Sequence, residues 1–301
     1  MIRSTASTLA AGLALSVFGP ASVLGQDAEQ PQQGDAPAAA QETTAEVEPF
    51  DPRAVEIFER HIEALGGRDV IYSVDKRILT GTYEGSPLQF PGRLKMVFEA
   101  PDKMYWQISE PAGISVKTVY NGERGWRAVQ QGFDTQTDWI IGPTLVDLIE
   151  SASFYGEADY ENRYKELRLV GTADFYGSSC YVIRGVRNSG KLHLLMFDSS
   201  TNIYAGARTA VLHQSGEVRP MDVRITSWQT VDGVMVPDKM VQQFRGEPAS
   251  NVFTMSRIRH EADPTVDWNP PETLPSYPEL DENFMPKMSQ TSTDAEPAEA
   301  P

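Results

Sequence analysis

The sequence predicts a mainly β protein with few helices, an α+β fold built on one strongly curved antiparallel sheet. Short apolar, β-branched and aromatic runs separated by Gly, Pro, Asn and Asp recur from Arg77 to Arg259, a spacing typical of antiparallel strands. Two amphipathic segments at helical spacing precede or interrupt those runs, and each needs an apolar surface to lie on. The economical arrangement puts both helices on the concave face of the sheet. Residues 50–278 are enough for one substantial domain.

The chain opens on an export signal over residues 1–25. Arg3 precedes the apolar stretch Leu9–Phe18, Gly19-Pro20 breaks it, and Val23-Leu24-Gly25 offers a small residue before Gln26. These are the n-region, h-region and cleavage site of a secretory signal. The apolar stretch is too short to span a bilayer, and no Cys at the cleavage point supports a lipid anchor. The mature protein is therefore expected to be exported, periplasmic and without stable membrane insertion.

Residues 26–49 hold six acids and no base, and residues 279–301 hold six acids against Lys287 alone. Such segments bury too little to offset their ordering entropy, so a disordered acidic linker and a disordered acidic tail are expected. Of the −17 carried after Gly25, these two segments contribute −6 and −5. That balance argues against nucleic acid or anionic lipid surfaces as partners.

The domain begins with a helix. Asp51 caps it, Pro52 suits its first position and Gly66-Gly67 ends it. Ala54, Phe58, His61, Ile62 and Leu65 share one face, with His61 at its edge. Strands are expected over 77–83, 93–98, 104–109, 114–120 and 125–129. After an interruption they resume over 167–171, 180–185, 192–197, 203–212, 221–228, 234–244 and 251–259. Asn121-Gly122 and Asp232-Gly233 are hairpin turns. The interruption, Thr144–Tyr155, is a second helix with Leu145, Leu148, Ile149 and Ala152 on one face and Asp147 and Glu150 facing away. Thr144 with Asp147 three residues on reads as a capping-box variant.

Little in the chain points to catalysis. His61, His193, His213 and His260 are scattered one per element, with no partner at metal-ligand spacing. There is no phosphate-cradling glycine loop, dinucleotide fingerprint or nucleophile elbow. Ser73-Val-Asp-Lys76 matches S-x-x-K, but no S-D-N or K-T-G element accompanies it, so the match reads as accidental. Cys180, the single cysteine, sits in the apolar run Cys180-Tyr-Val-Ile183 and reads as a buried strand thiol rather than a nucleophile. The carboxylates lie at turns and strand ends, where solvated acids sit. No catalytic residue, metal ligand or cofactor is expected, and the chain is not expected to be an enzyme.

The informative residues are apolar. Met96, Met104, Met196, Met221, Met235, Met240 and Met255 fall in or beside strands, with Trp106, Trp126 and Trp228. Flexible thioethers and large rings either line an adaptable pocket for acyl chains or pack an ordinary core. As cavity and lid residues for a ligand the pattern selects Leu145, Leu148, Ile149, Ala152, Met96, Trp106, Met196 and Met255.

Several phrases together carry a family resemblance. They are Ala64-Leu-Gly-Gly67, Glu99-Ala-Pro-Asp-Lys103, Tyr120-Asn-Gly-Glu-Arg-Gly-Trp126, Gly177-Ser-Ser-Cys-Tyr-Val182, Met196-Phe-Asp-Ser-Ser-Thr201 and Val231-Asp-Gly-Val-Met-Val-Pro237. In this order the chain resembles the LolA-like group, often labelled outer-membrane lipoprotein-sorting proteins, over about Asp51 to His260. The resemblance implies an unclosed antiparallel β-barrel of about eleven strands, with helices covering the mouth of an apolar cavity. Relatives include carriers of lipoprotein acyl chains and envelope-stress sensors that bind a partner protein. The expected function is periplasmic binding of a lipid or an acylated protein, as carrier or envelope sensor, by a monomer. The alternative is a protein-interaction scaffold for a membrane-bound regulator or protease, an envelope protein partner, without ligand transport.

Overall fold

The computed structural model describes residues 48–212 and 217–287. The export signal, nearly all of the acidic linker, His213 and the tail from 288 lie outside the described residues.

Helix α1 (Pro52–Ala64) forms as its caps require. The Asp51 side chain accepts from the Arg53 N–H, and Pro52 takes the first turn. Gly66 and Gly67 have positive φ and donate back to the carbonyls of Glu63 and Ile62. His61 is not an edge residue of this helix. The sheet wraps the helix closely enough to bury it, with its Nδ1 accepting from the Tyr204 N–H at 3.3 Å and its ring beside Phe197, Tyr204 and Trp228. Burial pushes its pKa down to about 4. A second helix, α2 (Arg68–Tyr72), follows; five residues are too few to show a periodicity.

Thirteen strands follow among the described residues. The first wing is β1 (Lys76–Glu84), β2 (Gly92–Glu99), β3 (Lys103–Ser109), β4 (Ile114–Tyr120), β5 (Gly125–Gln131) and β6 (Asp134–Ile140). The second wing is β7 (Tyr164–Phe175), β8 (Ser178–Arg187), β9 (Leu192–Asp198), β10 (Tyr204–Leu212), β11 (Val218–Val231), β12 (Val234–Phe244) and β13 (Asn251–Arg259). Between the wings run α3 (Pro143–Ala152), a 3₁₀ turn (Gly156–Asp159) and α4 (Tyr160–Arg163). All twelve expected strands are present. The additional one, β6, is a mostly exposed edge strand, and Asp-Thr-Gln-Thr-Asp-Trp-Ile has no apolar alternation to betray it.

All thirteen strands join one antiparallel sheet in the order β6-β5-β4-β3-β2-β1-β13-β12-β11-β10-β9-β8-β7. Its two edges, β6 and β7, do not pair, so the sheet is an open half-barrel. They are nevertheless consecutive in the chain and joined by residues 141–163. Laid flat, the sheet would hold its edges roughly 58 Å apart at ~4.8 Å per strand. The connector, with its helical turns placed end to end, reaches about 46 Å. The sheet must therefore curl, and the connector crosses its inner face.

That inner face holds the core. Ala54, Phe58 and Ile62 of α1 pack against Tyr83, Trp106, Leu167, Ile183, Leu195, Phe197 and Phe253 of the strands, and Phe58 meets Phe197 edge-on at 4.9 Å between centroids. Both helices predicted for the concave face lie on it.

Beyond β13 the chain straps the outer face of the first wing. Asp263 pairs with Lys95 at 2.8 Å, and the Trp268 carbonyl accepts from Asn121. The Pro275 carbonyl accepts from Trp139 Nε1 at 2.8 Å, and Tyr277 packs edge-on against the Trp139 ring. This strap explains why Ile78, Val97, Val119 and Trp126, a cross-strand row on the outer face, are buried. Residues 279–287, grouped by composition with the acidic tail, form a turn closed by hydrogen bonds between Asp281, Phe284 and Met285, and the Phe284 carbonyl accepts from the Gly142 N–H.

The wings meet at β1 and β13, where the register shifts between Thr80 and Gly81. A Cβ on Gly81 would overlap the Thr254 carbonyl across this seam. Gly81→Ala should therefore cost about 1–3 kcal/mol through forced displacement, read as a lower urea midpoint with an unchanged slope; an unchanged midpoint would show that the seam tolerates the added atom.

Candidate functional site

The crossing segment builds the site. Helix α3 starts at Pro143 behind Gly142, with no side-chain cap, so Thr144 lies inside the helix and the expected capping box does not form. A positive φ of 61° at Gly142 makes the turn off β6, and the chain's own C-terminal strap takes the N–H that a cap would otherwise leave to solvent.

The two sides of α3 hold different parts of the sheet. Leu145, Leu148 and Ala152 are buried on Met104, Tyr120 and Ile140 of the first wing, with half-buried Ile149 at the margin. Gly125 of β5 makes this close approach feasible, because a Cβ there would press on the Leu145 and Leu148 methyls. The other side reaches the β8–β9 turn of the second wing. Asp147, only 1% exposed, accepts from Lys191 Nζ at 3.0 Å, and the Glu150 carboxylate accepts from the Ser189 hydroxyl. The expectation that the acids are solvated fails here, because the far side of an amphipathic helix faces protein when the helix bridges two walls.

Deeper along the segment, Glu157 is anchored by three donors. Arg163 Nη1 stands at 3.1 Å, Arg187 Nη2 at 3.3 Å and the Tyr164 hydroxyl at 2.9 Å. The Arg187 guanidinium lies 4.2 Å over the Tyr164 ring. Burial alone would raise the Glu157 pKa, but the two guanidinium charges and the Tyr164 hydrogen bond hold it down to about 2. Asp147 has one cation, and burial wins: its pKa is pushed up to about 6. His193 is held well below its ordinary value by burial and by the charges of Arg187 and Lys191, so its ring is neutral.

The residues selected from sequence distribute unevenly. Leu145, Leu148, Ile149 and Ala152 form the underside of α3. Trp106 and Met255 lie in the main core, and half-buried Met96 packs against it on the same face. Met196 stands on the opposite face, in a separate cluster with Phe175, Cys180 and Val182, and does not meet the others. Cys180 is the buried strand thiol expected, with its pKa pushed up to about 11. Sequence reasoning missed Asp147, Glu157, Arg187, Lys191 and His193. One signal was available: the period-two alternation that turns Ile183 inward also turns Gly185 and Arg187 inward. Among the described residues no three His, Cys, Asp or Glu side chains gather as metal ligands, and no helix is long and apolar enough to cross a membrane.

No family model and no curated protein matches the chain. Solved structures do. A DUF1329 family protein from Desulfovibrio piger aligns at 11% identity and TM-score 0.47, over 71% of this chain and 95% of its own. A putative outer membrane lipoprotein-sorting protein domain from Vibrio parahaemolyticus aligns at 14% and 0.45, over 69% and 92%. A LolA superfamily protein from Nitrosomonas europaea aligns at 15% and 0.45, over 70% and 94%. Each is a likeness of fold at low identity.

The Glu157 anchor has a definite pH signature. Its folded pKa lies below the ordinary 4.5, so its stabilisation is present above that value and is lost as pH falls toward 2. Glu157→Gln leaves two buried guanidinium charges facing each other and should cost about 3 kcal/mol at pH 7, with the gap to the parent protein closing below pH 4 in denaturant titrations. A gap independent of pH would mean that the carboxylate charge is not what holds this segment.

Proposed function

We propose that the chain is an exported carrier or sensor of the bacterial envelope that binds a lipid or lipoprotein acyl chain on the inner face of the half-barrel, beneath α3. One observation carries this reading. The apolar underside of α3 rests on its own small cluster, separate from the main core but on the same sheet face, and half-buried Phe98 packs against both. A helix integral to the core would merge with it. A helix that lifts needs a small contact surface of its own.

The apolar inner face that continues from this patch along the strands suits an alkyl chain. Met96 and Phe98 on β2, Ile114 on β4 and Val129 on β5 point inward and are only half-buried. Each methylene placed there gains about 0.8 kcal/mol, and the Met96 thioether adapts to the shape of the guest. The contacts that hold α3 to the second wing, Asp147 with Lys191 and Glu150 with Ser189, are polar and few, so α3 can part from the β8–β9 turn without opening the main core.

The test is saturable binding of a fluorescent fatty acid, displaced by oleate, together with mass spectrometry of lipid released from natively purified protein. Met96→Glu should weaken fatty-acid binding at least about tenfold, since it buries an unpaired charge against the chain. No saturable binding together with no released lipid would sink the reading.

A further inference from the structure

The buried polar groups beneath the crossing segment are not all used by the fold. Arg187 is 5% exposed and gives only Nη2 to Glu157; its Nε and Nη1 have no hydrogen-bond partner. Arg163 gives Nη1 to Glu157 and Nη2 to the Glu150 carbonyl, and its Nε has none. His193, 8% exposed, has an unpartnered Nε2. Buried donors left without acceptors cost about 1–3 kcal/mol each. The Arg163 and Arg187 donors converging from α4 and β8 are a cost that a fold does not ordinarily retain, and the neutral His193 ring on β9 adds a further donor in its Nε2–H tautomer.

The chemistry of these groups gives the sign of what they await. Asp147, Glu150 and Glu157 balance Lys191, Arg163 and Arg187 in charge, so what the cluster leaves unmet is hydrogen-bonding capacity: the orphaned guanidinium N–H groups can only donate and call for an acceptor. The Arg187 guanidinium is held in place by the Tyr164 ring and Glu157, so little side-chain entropy remains to be lost on binding.

From this juxtaposition we propose that Arg187, Arg163 and His193 form a site for an oxyanion, the carboxylate or phosphate head of the lipid whose chain lies on the apolar inner face. The assignment of the head group to a lipid rests on the acyl-chain reading above. The oxyanion site itself rests on the orphaned donors. The position also explains the placement of the latch. The turn that carries Arg187 closes through the Arg187 N–H on the Lys191 carbonyl, and the same turn presents Ser189 and Lys191 to α3. Lifting α3 from that turn thus uncovers Arg187, so the entrance for the chain and the seat for its head group open together.

Calorimetric titration of the full mature chain with oleate, oleyl alcohol and inorganic phosphate decides the matter. Oleate should bind at least about tenfold tighter than the alcohol, as a charge-assisted hydrogen bond from a buried Arg requires. In Arg187→Gln, oleate should fall to the affinity of the alcohol while the alcohol still binds, which also reports a folded interior. Equal affinities for oleate and the alcohol in the parent protein would overturn the oxyanion site and leave the chain-binding reading standing; this comparison needs no variant. Phosphate binding that depends on Arg187, with no binding of either chain, would support the site for a free oxyanion and overturn the lipid. Binding of none of the three would overturn both.

Discussion

Two edges of a thirteen-strand sheet follow one another in the chain, and a connector of residues 141–163 has to join them. Much else in the molecule answers to this constraint. The sheet curls because the connector is too short for a flat one. Curling gives α1 a trough whose walls supply the core, and it buries His61. The connector must also find partners on both walls as it passes between them. Helix α3 therefore uses its apolar side on β3, β4 and β6 and its acidic side on the β8–β9 turn.

The two ionic attachments along that path differ in kind. Glu157 is surrounded by two guanidinium groups and a phenol, and its carboxyl is held well below the usual range. Asp147 is desolvated too but meets only a single ammonium, and its carboxyl is held above that range. Their contributions to stability run in opposite directions with pH. The Glu157 contribution is lost below pH 4.5, whereas the Asp147 carboxyl favours the fold increasingly as pH falls from about 6 to 3.8, because the folded state binds its proton more tightly. The segment is thus tied at the 3₁₀ turn by a carboxyl that stays charged well into the acid range and at α3 by one that takes up its proton nearer neutrality.

Much of the fold was legible in the sequence, and the reasons are local. Asp51-Pro52 and Gly66-Gly67 bracket α1 through caps that act within a few residues. Asn121-Gly122 turns because the Asn121 side chain accepts from the two N–H groups that follow Gly122. Strand β6 stayed hidden because an exposed edge carries no pattern. The site was legible only in its apolar half. Leu145, Leu148 and Ala152 repeat at helical spacing, but nothing near Asp147 in sequence announces Lys191, 44 residues away. The face occupied by Met196 depends on the pairing of Val182 with Met196, a register that β8–β9 sets and the residue type does not.

The central claim is that α3 is a cover that moves to admit a guest, and distance measurement tests it most directly. Spin labels at Thr144→Cys and Asn188→Cys sit on exposed positions, one on α3 and one on the turn it latches to, while buried Cys180 is shielded from the label. Pulsed electron resonance should give one narrow distance for the free protein and a longer or broader distribution at saturating oleate. The same narrow distance with oleate demonstrably bound would contradict the account, because the chain would then have entered without the cover.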